Sequence, residues 1–173
     1  MLLPIETRRL VIRSFTPADA PALHDRVFGV PEVMAYIPRG ASPSLERTRG
    51  VIERFIRHER ENGFGLWAVE LRETAELIGD CGLFLLEGQG PEVEVAYHFG
   101  KEWWGHGYAT EAAGACLAFG FGELRLPEII AICYPEHTAS RRVMEKCGMR
   151  YAGHAPYYGL DLAKYVATRS GAS

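Results

Sequence analysis

Two glycines, Gly105 and Gly107, stand in the stretch GKEWWGHGYATEAAG, residues 100–114, between a strand-like run and an alanine-rich helix former. Bare backbone at such a junction lets a ligand approach closely, and the first N–H groups of a helix have no acceptor of their own. With the helix dipole behind them they favour an anion, above all a pyrophosphate. The phosphate loop GxxxxGK[ST] is absent from the chain. GHGYAT begins like GxGxxG but puts Thr110 where the third glycine belongs, and no lone acidic residue ends a strand about 20 residues later. A glycine turn that merely connects two elements uses the same residues, so the pair alone leaves both readings open.

The elements that would position this turn follow from the periodicity. Residues 8–15 alternate as a strand, and Thr16, Pro17 and Asp19 then open a short helix to about residue 27. The run SPSLERTRGVIERFIRHERENG, with Pro43 near its start and Gly63 just past its end, has the spacing of an amphipathic helix with a heavily charged outer face. Residues 64–71, 77–86 and 92–99 are strand-like with short polar links, which predicts an antiparallel meander. After Gly107 a helix carries Ala113, Cys116, Leu117, Phe121 and Leu124 on one face. A strand at 129–134, a helix ending at Gly148 and two strands around a Tyr/Gly turn complete the chain. The expectation is one α/β domain of the α+β type over residues 1–173. It has a mixed, mostly antiparallel sheet of six or seven strands, with four helices on its faces.

A chain of 173 residues has room for one core and little for a second. The net charge of -3 offers no footprint for nucleic acid or an anionic membrane. Cys81, Cys116, Cys133 and Cys147 form no CxxC pair and read as reduced core residues, so no metal is expected. With no signal peptide and no apolar run near the length of a membrane span, a soluble cytoplasmic protein is the expectation.

YHFGKEWWGHGYATEA followed by PEHTASRRVMEKCGMRYAG resembles the GCN5-related N-acetyltransferases (GNAT), most of all the branch with the RimJ/RimL ribosomal-protein acetyltransferases. The resemblance runs from ETRRLVIRSFTPAD to KYVATR, and the order of elements agrees. It implies that backbone N–H groups of Trp104, Gly105, His106, Gly107, Tyr108, Ala109 and Thr110 hold the pyrophosphate of acetyl-CoA. The pantetheine arm would pair like an extra strand near Tyr97, His98 and Phe99. Trp103 and Trp104 would brace the turn. Glu102 stands where the family commonly has Gln or Arg, which brings negative charge near the phosphates.

Acetyl transfer to an amine needs a proton acceptor, support for the oxyanion and a proton for the departing thiolate. Glu94, at the glutamate of the family's EIGY-like stretch, is the implied base; a solvated glutamate on a polar face with Glu92 and His98 is the competing reading. His98 is a second base candidate by its ordinary pKa. The family's NxxAxxxY is altered, with His137 for the asparagine and Met144 for the tyrosine, so that acid is missing. Ser140 matches the serine of the RimJ/RimL-like NxxS and is the candidate donor to the thiolate; a helix-start hydrogen bond is its other reading. His137 and Ser140 complete the expected CoA contacts, and a backbone N–H near Tyr97 is the expected oxyanion donor.

The acceptor, a small-molecule amine or a protein N-terminus, would lie among the early helices, PEVMAYIPRG and the APYYGLDL turn. Glu32, Tyr36 and Asp161 are candidate linings, and Tyr151, Tyr157 and Tyr158 offer a hydroxyl or an aromatic wall. A homodimer is expected by analogy alone. The reading is an acetyl-CoA-dependent N-acetyltransferase acting by direct transfer. The losses at Glu102, His137 and Met144 leave a non-catalytic acyl-CoA-binding sensor module as its rival.

Overall fold

In LVIR, Leu10 and Ile12 are buried while Val11 and Arg13 are half-covered, the two-residue period of a strand. The computed structural model, which describes residues 3–169, makes this β2 (Leu10–Arg13), beside a two-residue β1 (Ile5–Glu6). β3 (Leu66–Leu71), β4 (Leu77–Leu85) and β5 (Val93–Phe99) form the expected antiparallel meander. β6 (Glu128–Cys133), β7 (Arg150–Tyr157) and β8 (Leu160–Thr168) complete an eight-stranded sheet of order β1-β2-β3-β4-β5-β6-β8-β7. The expected six or seven strands omitted β1. Two residues carry no period, and only the pairing of Ile5 with Ile12 and of Glu6 with Val11 makes them a strand. The sheet has one parallel neighbour pair, β5 with β6, whose register consists of Glu94 opposite Ile130.

Four helices cover the faces. α1 (Ala20–Leu23) starts where the Asp19 carboxylate accepts the Thr16 N–H at 2.8 Å, and runs on into a wider turn over residues 24–28. α2 (Leu45–Asn62) is capped by Ser44, whose Oγ accepts the Arg47 N–H at 3.1 Å, and ends at Gly63 with φ 79°. α3 (Tyr108–Gly122) and α4 (Thr138–Lys146) follow. Leu124, expected on the α3 face, lies beyond the helix end but still packs on the core.

The strand period sorts the core into two layers. α3 and α4 pack over Trp67, Cys81, Leu83, Val95 and Ile129; α1 and α2 pack over Leu66, Ala68, Leu77, Phe84 and Ala96. Full burial of side chains such as Leu83 and Ile129 is worth about 1.5–3 kcal/mol each. Gly120 lets α3 lie close to the sheet, since a Cβ there would sit 2.5 Å from Ile129 Cδ1 and 2.9 Å from Leu83 Cδ1. The four cysteines are free thiols, three of them buried. No described helix is long and apolar enough to cross a membrane.

Candidate active site

The N-terminus of α3 is left open where that of α2 is closed. Gly107 occupies the cap position with φ 78°, Gly105 has φ 77°, and neither supplies a capping side chain. Among the described residues, the N–H groups of Gly105, His106, Gly107, Tyr108, Ala109 and Thr110 meet no acceptor; the first used is Glu111, bonded to the Gly107 carbonyl at 3.0 Å. The Trp104 N–H donates to the Lys101 carbonyl at 3.2 Å, so the open set begins one residue later than the resemblance implied. Six successive free donors at a helix start suit an anion such as a pyrophosphate.

The loop is braced from both sides. Trp104 is half exposed, but its indole N–H donates to the Phe99 carbonyl at 2.8 Å. Trp103 lies on Gly100, where a Cβ would come within 2.6 Å of the ring. Arg9 is a member that the sequence reading missed. Its guanidinium donates to the His106 carbonyl at 2.9 Å, pairs with Glu111 at 2.7 Å and lies 4.5 Å from the centre of the Tyr108 ring. The contact joins positions about a hundred residues apart, so no local pattern announces it.

β5 serves both sides of the sheet. Its odd residues face α3 and α4, and there the Tyr97 hydroxyl reaches Ser140: it donates to the Ser140 carbonyl at 3.1 Å and lies 3.0 Å from Oγ. Burial raises the Tyr97 pKa, so this hydroxyl stays protonated. Ser140 is itself buried in the first turn of α4. Beyond Glu94 the ladder to β6 stops, while β5 keeps its partners in β4 up to Phe99. The edge of Tyr97, His98 and Phe99 is therefore free of β6 where a strand-like ligand would pair.

The even residues face α1 and α2. Glu94 is 8% exposed, opposite Phe84 in the register, and its Oε1 accepts the Tyr158 hydroxyl at 3.2 Å. Burial pushes its pKa up to about 7, against the opposing pull of the Tyr158 hydroxyl and of His98. This overturns the reading of Glu94 as a solvated glutamate: Glu94 is buried and His98 mostly so, whereas Glu92, just before β5, stays partly exposed and pairs with Lys164 at 3.0 Å. His98 lies opposite Asp80, and its Nδ1 is 2.9 Å from the fully buried Asp80 Oδ1. Burial opposes the charged imidazole, but Asp80 outweighs it and the His98 pKa is raised. A carboxylate that fixes Nδ1 leaves Nε2 as the working nitrogen.

Tyr158 reaches Glu94 from the β7–β8 turn, where it and Gly159 have φ of 53° and 71°. A tyrosine is strained there, and Glu87 holds it: the Tyr158 hydroxyl accepts the Glu87 N–H at 3.1 Å, and the Glu87 carboxylate accepts the Tyr158 N–H. The Tyr157 hydroxyl bonds Glu92 at 3.2 Å, and Tyr151 is exposed. Glu32 is paired with Lys101 and Asp161 with His154, so both carboxylates are already engaged. His137, at the asparagine position, stacks on Tyr36 with 4.2 Å between centroids, and burial lowers its pKa. Met144 is core.

The family profile described as "Acetyltransferase (GNAT) domain" matches residues 9–150. The chain belongs to the GNAT acetyltransferase family. It is 36% identical over 149 residues to YnaD of Bacillus subtilis, an uncharacterized N-acetyltransferase, covering 86% of this chain and 84% of that one. The crystal structure of a GNAT-family acetyltransferase from Bacillus anthracis superimposes with TM-score 0.83 at 33% identity, over 96% of this chain and 98% of its own. RimL, a ribosomal L7/L12 alpha-N-protein acetyltransferase in complex with coenzyme A, superimposes with TM-score 0.78 over 95% and 97% of the two chains. At 16% identity that likeness concerns the fold. The protein is an acetyltransferase enzyme, and acetyl-CoA is the co-substrate its family uses.

Proposed function

We propose that the enzyme transfers the acetyl group of acetyl-CoA directly to a primary amine, with Glu94 as the proton acceptor. The observation that carries this reading is a buried carboxylate of pKa about 7, on the strand that leaves its parallel neighbour just beyond it. A group titrating near neutrality can accept a proton from an ammonium-derived intermediate and release it again. The amine nitrogen attacks the thioester carbonyl and the C–S bond breaks. The proton lost by nitrogen passes to Glu94, and the Ser140–Tyr97 hydroxyl pair on the opposite face donates a hydrogen bond to the departing thiolate, which takes its proton from solvent. The free N–H groups from Gly105 to Thr110 bind the pyrophosphate, and the free edge of β5 receives the pantetheine arm.

Release of CoA from acetyl-CoA, measured with a panel of amines for wild type and Glu94→Gln, tests the reading. Amine-dependent release that the substitution suppresses, with CoA affinity kept, is the expected outcome. Tight CoA binding with no amine-dependent release would leave the sensor-module alternative standing instead.

A further inference from the structure

The Asp80 side chain is wholly buried, and its one hydrogen bond joins Oδ1 to His98 Nδ1 at 2.9 Å; Oδ2 has no partner among the described residues. Carboxylates that serve the fold are engaged differently. Asp19 holds Arg13 and the Thr16 N–H, and Glu111 holds Thr7, Arg9 and the Arg9 N–H. Burying a carboxylate with one oxygen unpaired costs stability. The group on which Asp80 acts is His98.

His98 is held from two elements. Asp80 of β4 takes Nδ1, and the Phe28 ring, from the turn after α1, stands edge-on with 5.7 Å between centroids. Arg26 of that turn is directed to Glu76 and the Leu77 carbonyl, so the charges that bear on the imidazole are Asp80 and, on its own strand, Glu94. Nε2 makes no hydrogen bond among the described residues, and 15% of the side chain stays exposed. Glu94 and His98 leave β5 on one face, four residues and about 13 Å apart along the strand. Between them stands Ala96, a small side chain that is partly exposed, so the space above it has a proton-accepting group at either end.

The chemistry calls for two such groups. Near neutral pH a primary amine arrives as an ammonium ion. Its nitrogen keeps one proton in the amide, so two must leave: one to free the lone pair, and one after the attack. Glu94 holds one proton at a time.

We infer that His98 Nε2, positioned by Asp80, takes the first of these protons and Glu94 the second, so that the enzyme acts on amines that arrive charged. The inference rests on the transferase reading above. R–NH3+ gives a proton to Nε2, and the free amine attacks the thioester carbonyl. The nitrogen passes its second proton to Glu94 as the C–S bond breaks. Both protons return to solvent and the thiolate takes one back, a net release of one per turnover. Asp80 is a positioning residue. It keeps the proton of the neutral ring on Nδ1, leaves Nε2 bare, and steadies the imidazolium once formed. It also raises the basicity of the ring against burial, which narrows the gap to an ammonium ion.

The test compares ethylamine, an ammonium ion at pH 8, with 2,2,2-trifluoroethylamine, similar in shape and uncharged there. CoA release gives kcat/KM for each amine with wild type, His98→Gln, Asp80→Asn and Glu94→Gln. His98→Gln and Asp80→Asn should each cut the ratio of ethylamine to trifluoroethylamine by about tenfold, since only ethylamine needs the first transfer; Glu94→Gln should lower both rates and keep the ratio. A merely structural Asp80 would lower both rates together. In the CoA-loaded enzyme with isotope-labelled imidazole nitrogens, nuclear magnetic resonance should find the neutral ring protonated on Nδ1 and Nε2 titrating, with a lower midpoint in Asp80→Asn. Added ethylamine should move the Nε2 resonance, which then accepts a hydrogen bond from the ammonium ion. A ratio unchanged in both variants overturns the inference. Where either amine is not turned over, an Nε2 resonance that ethylamine leaves in place overturns it too. Movement of Nε2 without CoA release for any amine would sink the transferase reading and leave the amine contact at His98 standing; transfer with an unchanged ratio would do the reverse.

Discussion

The two faces of β5 treat the polar groups beside them in opposite ways. On the odd face Tyr97 and Ser140 are neutral hydroxyls that satisfy one another, and burial holds the tyrosine in its protonated form. On the even face Glu94 and His98 are ionisable, and both pKa values are raised, that of Glu94 by burial and that of His98 by Asp80 against its burial. Seven residues of extended chain thus set hydroxyl donors on one face and ionisable groups on the other, the sides to which the proposed mechanism assigns the thiol and the amine. Alternation alone produces the separation, because successive side chains leave a strand in opposite directions.

The contrast can be broken most sharply at the loop that serves the odd face. Gly107→Asp places a side chain at a left-handed position and a negative charge among the donors, and should weaken CoA binding by about a hundredfold or more, measured by calorimetry. Glu94→Gln should lower kcat by about a hundredfold while CoA affinity stays within about twofold, since general-base contributions start near that size. Wild-type kcat/KM should rise with pH through about 7 and level off above it, as Glu94 ionises; the variant should lose that limb.

The same substitution should stabilise the fold. Glu94 holds its proton more tightly folded, at about 7, than unfolded, near 4.5. Its favourable contribution is therefore complete below about pH 4.5 and is lost as pH rises through 7. At pH 8 the wild type carries a buried carboxylate at a cost of about 3 kcal/mol, which Glu94→Gln removes; at pH 4 the gain should vanish. Denaturant titrations at the two pH values check this, and a gain of equal size at both would mean that the carboxylate is solvated.

Ser140→Ala should slow turnover about tenfold with acetyl-CoA and less with a thioester of a more acidic thiol, because a better leaving group needs less proton donation. Smallest of all, Tyr158→Phe removes a hydrogen bond to the Glu94 carboxylate. It should move the pH–rate limb upward by about half a unit, the direction expected when the charged form loses a donor.

What could be read in the sequence depended on how far apart the partners lie along the chain. Gly105 and Gly107 were legible because turn, cap and helix are consecutive, and the meander was legible because its links are short. The pairs Tyr158–Glu94, Asp80–His98 and Arg9–Glu111 were not, since each forms only when separate elements pack. Alternation grouped Glu94 and His98 on one face of β5. It carried no information on whether that face is wet, and the answer came from Phe84, α1, α2 and a tyrosine some sixty residues away.

The single registered pair between β5 and β6 also divides the backbone into two blocks, β1 to β5 and β6 to β8, that share almost no ladder hydrogen bonds. Between them the molecule is held by side chains, chiefly those beneath α3, which connects one block to the other. Such a seam is where sub-global opening begins: amides of β6 that face β5 should exchange with solvent sooner than those that pair with β8. A ligand that adds its own strand-like hydrogen bonds along β5 would close the seam from within. The folded chain would then be least cooperative when empty and most cooperative when loaded.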